Sequence, residues 1–91
     1  LSDFDLSIVF DESVAWRDIE AIARKADLVK DVRFIDEYRG KQVGAGKKSV
    51  SFRIWVGSDK GTLTSEQIEN VAKQVTKKIN KKFGGDVRGA Q

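Results

Sequence analysis

Eight consecutive residues, Ser49 to Val56, alternate between two kinds of side chain without a break. Val50, Phe52, Ile54 and Val56 make one set, wholly aliphatic or aromatic. Ser49, Ser51, Arg53 and Trp55 make the other, with two hydroxyls, a guanidinium and an indole. Successive side chains on a strand point to opposite faces of a sheet, so this pattern demands a strand buried on one face. The apolar set is too uniform to be anything but core, which leaves Ser49, Ser51, Arg53 and Trp55 on an open face. Gly57-Ser58-Asp59-Lys60-Gly61 closes the strand as a turn.

The remaining segments supply partners for that strand. Leu6, Ile8 and Phe10 alternate with Asp5, Ser7 and Val9, which predicts a first strand over Asp5–Phe10. Trp16, Ile19, Ile22, Ala23 and Ala26 recur at helical spacing, which predicts a helix from about Ala15 to Ala26, with Ser13 the best nearby cap. A second strand is expected from about Leu28 to Tyr38. Val32 and Phe34 share a parity there with Asp36 and Tyr38, so the core-facing parity must switch inside it, as a bulge allows. Arg39 to Lys47 holds three glycines and reads as a loop. Thr64 and Gln67 form a capping box, with Leu63 and Ile68 at the positions of a hydrophobic staple. Ile68, Val71, Ala72, Val75, Ile79 and Phe83 continue that helix until Gly84-Gly85 stops it. Asp86-Val87-Arg88 has room only for a short last strand.

The order strand-helix-strand-strand-helix-strand predicts an α+β, ferredoxin-like βαββαβ sandwich. Its four-stranded antiparallel sheet would carry both helices on one face. The 91 residues form a single domain, residues 1–91. No apolar stretch is long enough to span a membrane, and the opening does not read as a charged-then-apolar leader.

Composition removes most catalytic chemistry. The chain has no histidine and no cysteine. That excludes a Ser-His-Asp triad, an imidazole base, a thiolate nucleophile and the usual structural zinc sites. Missing cysteine also fits a reducing compartment. The net charge of +3 is unevenly spread. Residues 1–22 hold six acids and one arginine, net −5, whereas residues 47–91 hold ten bases and four acids, net +6. This asymmetry suits a polyanion touching one side, or simply a solvated lysine-rich helix.

Four groups are candidates for function. Asp3, Asp5, Asp11 and Glu12 lack the spacing of a calcium loop, and solvated charge or helix-start acids explain them better. Gly40 to Gly46 has the wrong glycine spacing for a phosphate-cradling loop, and a strand rather than a helix follows. Lys77, Lys78, Lys81 and Lys82 suit a helix C-terminus without any partner. The open sheet face is the best site. Asp36, Tyr38, Ser49, Ser51 and Arg53 converge there. An aromatic ring can stack a splayed base while hydroxyl and carboxylate groups read its edge. Trp55 serves either such a surface or a partner domain. The Phe/Tyr-rich third strand of an ordinary RNA-recognition motif is absent.

The chain resembles, along essentially its whole length, the ferredoxin-fold anticodon-binding domain found at the C-terminus of the phenylalanyl-tRNA synthetase beta chain. Asp5-Leu6-Ser7-Ile8-Val9-Phe10-Asp11 is similar to that family's D-L-S-hydrophobic strand. Ile35-Asp36-Glu37-Tyr38-Arg39-Gly40 is similar to its F-D-x-Y-x-G signature. Gly46-Lys47-Lys48-Ser49-Val50 follows G-K-K-S-hydrophobic, Thr62-Leu63-Thr64 follows T-L-T, and Arg88 stands for the closing arginine. Ile35 replaces the usual phenylalanine. Phe4 stands where many members have arginine, so a contact from that arginine does not carry over. A proline often found a little earlier is missing.

The resemblance implies a non-catalytic module that holds the anticodon stem-loop of phenylalanine tRNA. Carried over from its D-x-Y and K-S motifs, the anticodon contacts would be Asp36, Tyr38 and Ser49; with Lys47, Lys48, Ser51, Arg53 and Arg88 these make up the expected RNA-binding residues. No metal or cofactor is expected in the domain itself. The parent would be a cytoplasmic ligase using ATP and magnesium, with two alpha and two beta chains and its catalytic site on the alpha chain. Two alternatives remain open on the residues. One is the similar module of a single-chain organellar synthetase. The other is a protein-interaction or regulatory sandwich that uses the same open face.

Overall fold

The computed structural model describes residues 2–84 and 86–90, with side chains through Gly84. Its elements are β1 (Ser2–Asp11), α1 (Trp16–Arg24), β2 (Val29–Tyr38), β3 (Lys47–Val56), α2 (Ser65–Phe83) and β4 (Asp86–Ala90). Three ten-residue strands make an antiparallel sheet in the order β2-β3-β1. The five-residue β4 pairs its backbone along the free edge of β1, antiparallel, from Leu6 to Val9. The fold is α+β and ferredoxin-like, with two helices.

One core lies between sheet and helices. Directly paired residues share a face, so the pairs Phe4↔Ile54, Leu6↔Phe52 and Ile8↔Val50 mark one side of the sheet. All six are buried, and Ile19, Ala23, Val71, Val75 and Ile79 of the two helices close over them. Trp16 packs its indole against Phe52 with ring centroids 5.4 Å apart. The alternating strand therefore buries the set that its sequence pattern requires.

The helix ends differ in how they are held. Thr64 caps α2 as expected: its Oγ1 accepts from the Gln67 amide at 3.1 Å, and Gln67 Oε1 accepts from the Thr64 amide at 2.8 Å. Gly84 ends α2 in the left-handed region at φ 66°, where its amide reaches the Asn80 carbonyl at 2.8 Å. Gly85 lies outside the described residues. By contrast, α1 starts after Ala15 with no side-chain cap, so Ser13 does not take that role. The other end of α1 is tied down instead. Arg24 donates to Glu20 at 2.9 Å, to Asp31 at 3.0 Å and to the Val32 carbonyl at 3.0 Å, which joins α1 to β2.

β2 carries the expected change of face. Its register against β3 shifts between Phe34 and Asp36, so Phe34 pairs with Phe52 on the helix side while Asp36 pairs with Ser51 on the open side. A second shift, between Val29 and Asp31, keeps Val29 and Val32 both on the core side although they are three residues apart. The first bulge is what delivers Asp36 and Tyr38 to the open face.

Candidate nucleic-acid interface

The open face is a grid set by strand register. Reading from β1 through β3 to β2, its rungs are Asp3-Trp55-Asp31, Asp5-Arg53-Arg33, Ser7-Ser51-Asp36 and Val9-Ser49-Tyr38. Asp11 and Lys47 pair beyond the last rung. Five residues expected on this face, Asp36, Tyr38, Ser49, Ser51 and Arg53, are brought together on it.

Arg53 is the most constrained of them. Its guanidinium forks onto the Asp5 carboxylate, Nε to Oδ1 at 2.7 Å and Nη2 to Oδ2 at 3.1 Å. These hydrogen bonds hold the Asp5 carboxyl below the usual carboxylate range, against a smaller opposing effect of burial. They also raise Arg53. Asp5 is thus a strand residue pairing an arginine, not a helix-start acid. Arg33 stands opposite Arg53 on the same rung, a repulsive pairing. Asp31 relieves it by accepting from Arg33 Nε at 3.1 Å. On the next rung the Ser7 and Ser51 hydroxyls bond each other at 2.7 Å.

Tyr38 is 49% exposed. Its hydroxyl makes only a long bond, donating to Gln42 Oε1 at 3.5 Å, so it is not spent on internal packing. Asp36 is exposed and Ser49 half-buried beside it. Among the described residues, neither Asp36 nor Lys47 forms an ion pair. Arg39, just past Tyr38, is shared between Glu37 at 3.2 Å and Glu12 at 3.5 Å.

Lys48 is not brought to this face. It pairs with Phe10 on the helix side, is 5% exposed, and meets Glu37 Oε1 at 3.3 Å. Burial pushes the Glu37 carboxyl up, but the hydrogen bonds and charges of Lys48 and Arg39 together hold it below its usual range. Adjacent lysines on one strand must face opposite ways, and only Lys47 has the parity of Ser49. Arg88 falls within β4, and its side chain lies outside the described residues. Trp55 faces the open side, half-buried between Asp3 and Asp31.

Sequence reasoning missed the contribution of β1. Asp5, Ser7 and Val9 were visible as the non-core parity, but only the register shows that Asp5 meets Arg53 and Ser7 meets Ser51. It also passed over Arg33 and Asp31, although both alternate with Val32 and Phe34 and so carry the open-face parity.

This arrangement offers groups suited to binding. Among the described residues no group of three or more metal-ligating side chains converges. No helix is long and apolar enough to cross a membrane. What the face offers is a half-exposed ring, an exposed carboxylate, hydroxyls and cations. Those groups serve base stacking, edge recognition and phosphate contact.

Comparison with known proteins gives a consistent picture. The family model described as the ferredoxin-fold anticodon binding domain matches residues 2–88. The chain is 37% identical over 84 residues to a phenylalanine–tRNA ligase beta subunit of Dehalococcoides mccartyi, covering 92% of this chain and 10% of that protein. The beta subunit of Porphyromonas gingivalis is 33% identical over 86 residues, 92% of this chain and 10% of its own. That of Paramagnetospirillum magneticum is 36% identical over 89 residues, 96% of this chain and 11% of its own. The chain spans about a tenth of the length of these relatives.

Proposed function

The chain belongs to the ferredoxin-fold anticodon-binding domain family, and on that premise we propose that its open sheet face holds the anticodon stem-loop of phenylalanine tRNA. The observation that carries this reading is the half-exposed Tyr38 ring standing between Asp36 and Ser49. A splayed anticodon base stacks on the ring. The Asp36 carboxylate accepts from the base edge, and the Ser49 hydroxyl donates or accepts beside it. Lys47, at the end of the grid, meets a phosphate. Ser51 and Arg53 border the site, and Arg88 of β4 lies on the strand that completes a four-stranded platform.

In this reading the domain is non-catalytic and needs no cofactor. It serves a ligase that joins phenylalanine to its tRNA with ATP and magnesium. Its partners are the tRNA, the rest of a beta chain and an alpha chain in an α2β2 tetramer, in the cytoplasm. Affinity of the domain alone is modest, because a synthetase that grips its tRNA at several places gains avidity from linkage.

The test is titration of the domain with the phenylalanine anticodon stem-loop and with a loop of changed anticodon bases. Preference for the cognate loop is expected. Equal binding to both would remove base reading, and no binding to either by this domain or its parent would remove the RNA altogether.

A further inference from the structure

We infer that Gly40 is a positioning residue that sets where the Tyr38 ring stands, an inference that rests on the stacking role proposed for Tyr38. The loop after β2 holds glycines of two kinds. Gly44 and Gly46 have φ of 106° and 72°, a left-handed conformation that side chains resist. A Cβ added at either would meet nothing closer than Lys47 Cγ, 3.8 Å from Gly44. Gly40 is the reverse case. Its φ is not positive, so no left-handed strain stands against a side chain there. Space is what it lacks: a Cβ would stand 2.9 Å from Tyr38 Oη, 3.2 Å from Cζ and 3.4 Å from Cε2.

The tip of the phenol therefore rests on the bare Cα of Gly40. The loop cannot easily retreat to make room. The Gly40 carbonyl accepts from the Val43 amide at 3.1 Å and from the Gly44 amide at 3.2 Å. Farther along, the Gly46 carbonyl accepts from the Glu12 amide at 2.9 Å, tying the loop to the end of β1. With the backbone held at both ends, the mobile partner is the ring. Any side chain at position 40 pushes the phenol off the loop and takes the stacking surface with it. The long 3.5 Å bond to Gln42 is too weak to hold the ring against that clash.

The experiment compares the parent with Gly40→Ala, Tyr38→Ala and the double variant. Tyr38 is the chain's one tyrosine, so its ring resonances are unambiguous. In the free domain the parent should show proton contacts between the Tyr38 ring and Gly40, and Gly40→Ala should shift the ring signals. The melting temperature should stay within about 3 °C, as for a surface change. Affinity for the anticodon stem-loop should fall by at least about 5-fold, up to the roughly 150-fold that a full stack is worth. In the Tyr38→Ala background the same substitution should change nothing further. Adding Tyr38→Phe to Gly40→Ala removes the nearest atom and should restore part of the ring placement.

Unmoved ring signals in Gly40→Ala would overturn the inference. So would an equal loss of affinity in the Tyr38→Ala background, since Gly40 would then act on RNA directly. An unfolded Gly40→Ala would overturn it too, because a pivoting ring leaves the fold intact. If Tyr38→Ala binds like the parent, the stacking role fails on its own, and the ring signals still decide whether Gly40 places the ring.

Discussion

The two ends of the open sheet face hold similar residue types in opposite states. At the end near the start of β1, both arginines of the grid are already answered. Arg53 is forked by Asp5, and Arg33 donates to Asp31, which also accepts from Arg24 of α1. At the Tyr38 end, Asp36 and Lys47 form no ion pair among the described residues, and the ring is half exposed. A paired charge must be separated from its partner before it can contact a ligand, whereas a free one need only shed water. The lesson is that counting cations on a face overstates what it can bind. The arginines that look available in sequence are locked to carboxylates of the sheet, whereas Lys47 at the other end has no ion pair among the described residues.

The largest expected effect tests what both ends stand on. Phe52 is fully buried at the centre of β3, pairs with Leu6 and Phe34, and meets the Trp16 ring. Phe52→Ala should cost about 3–5 kcal/mol of stability. In a domain of ~5 kcal/mol that leaves the chain largely unfolded, and both ends are lost together. Denaturant melts decide it. A cooperative transition close to the parent's would show that Phe52 does not hold the platform.

Most of this fold is legible in the sequence because its signals are local. The Ser49–Val56 alternation, the α2 stripe and the Thr64–Gln67 box each need only neighbours in the chain. The parity change in β2 is legible too, since Val32, Phe34 and Tyr38 cannot all face the core of a regular strand without burying Asp36. The state of the cations is not legible. Asp5 and Arg53 are forty-eight residues apart, and only register brings them face to face. For the same reason Lys47 and Lys48 look alike in sequence, yet one lies at the open face and the other is buried against Glu37. The membership of the site depends on pairing across strands, which one-dimensional pattern does not contain.

The next effect belongs to the free end alone. Tyr38→Ala should lose about 1–3 kcal/mol of stem-loop binding, the worth of one base–aromatic stack. Because the ring is half exposed, stability should change by no more than about 0.5 kcal/mol. Isothermal titration beside a thermal melt separates the two. A large stability loss with proportionate loss of binding would make Tyr38 a packing residue and erase the contrast between the ends.

A smaller effect sharpens the contrast directly. Affinity for the stem-loop should fall with salt, and Lys47→Ala should flatten that log-log slope by about one unit. Arg53→Ala should flatten it by much less, because Asp5 already compensates the charge. Binding measured at several salt concentrations reads both slopes. Equal flattening by the two variants would mean that the Asp5 fork opens to admit a phosphate.

The smallest effect concerns the locked end and is read by acid. The Asp5 carboxyl lies below its ordinary value in the folded chain because Arg53 donates to it. A carboxylate with a lowered folded value contributes stability that is fully present above the unfolded value, about 3.9. That contribution drains away as the pH falls below it through the folded value. The pair lies at the surface, with Arg53 well exposed, so solvent screens it and its contribution is small. Asp5→Asn should therefore destabilise the parent slightly at neutral pH, and the difference should vanish at the acid end. Asp36→Asn, at the free end, removes a carboxylate that no cation answers among the described residues, and serves as the reference for the Asp5→Asn gap. Stability curves for the three proteins from pH 7 down to about 2 test this, because that span crosses the unfolded value. A pH-independent gap for Asp5→Asn would mean that the fork acts through shape rather than charge. The two ends would then differ in packing, and not in whether their charges are free.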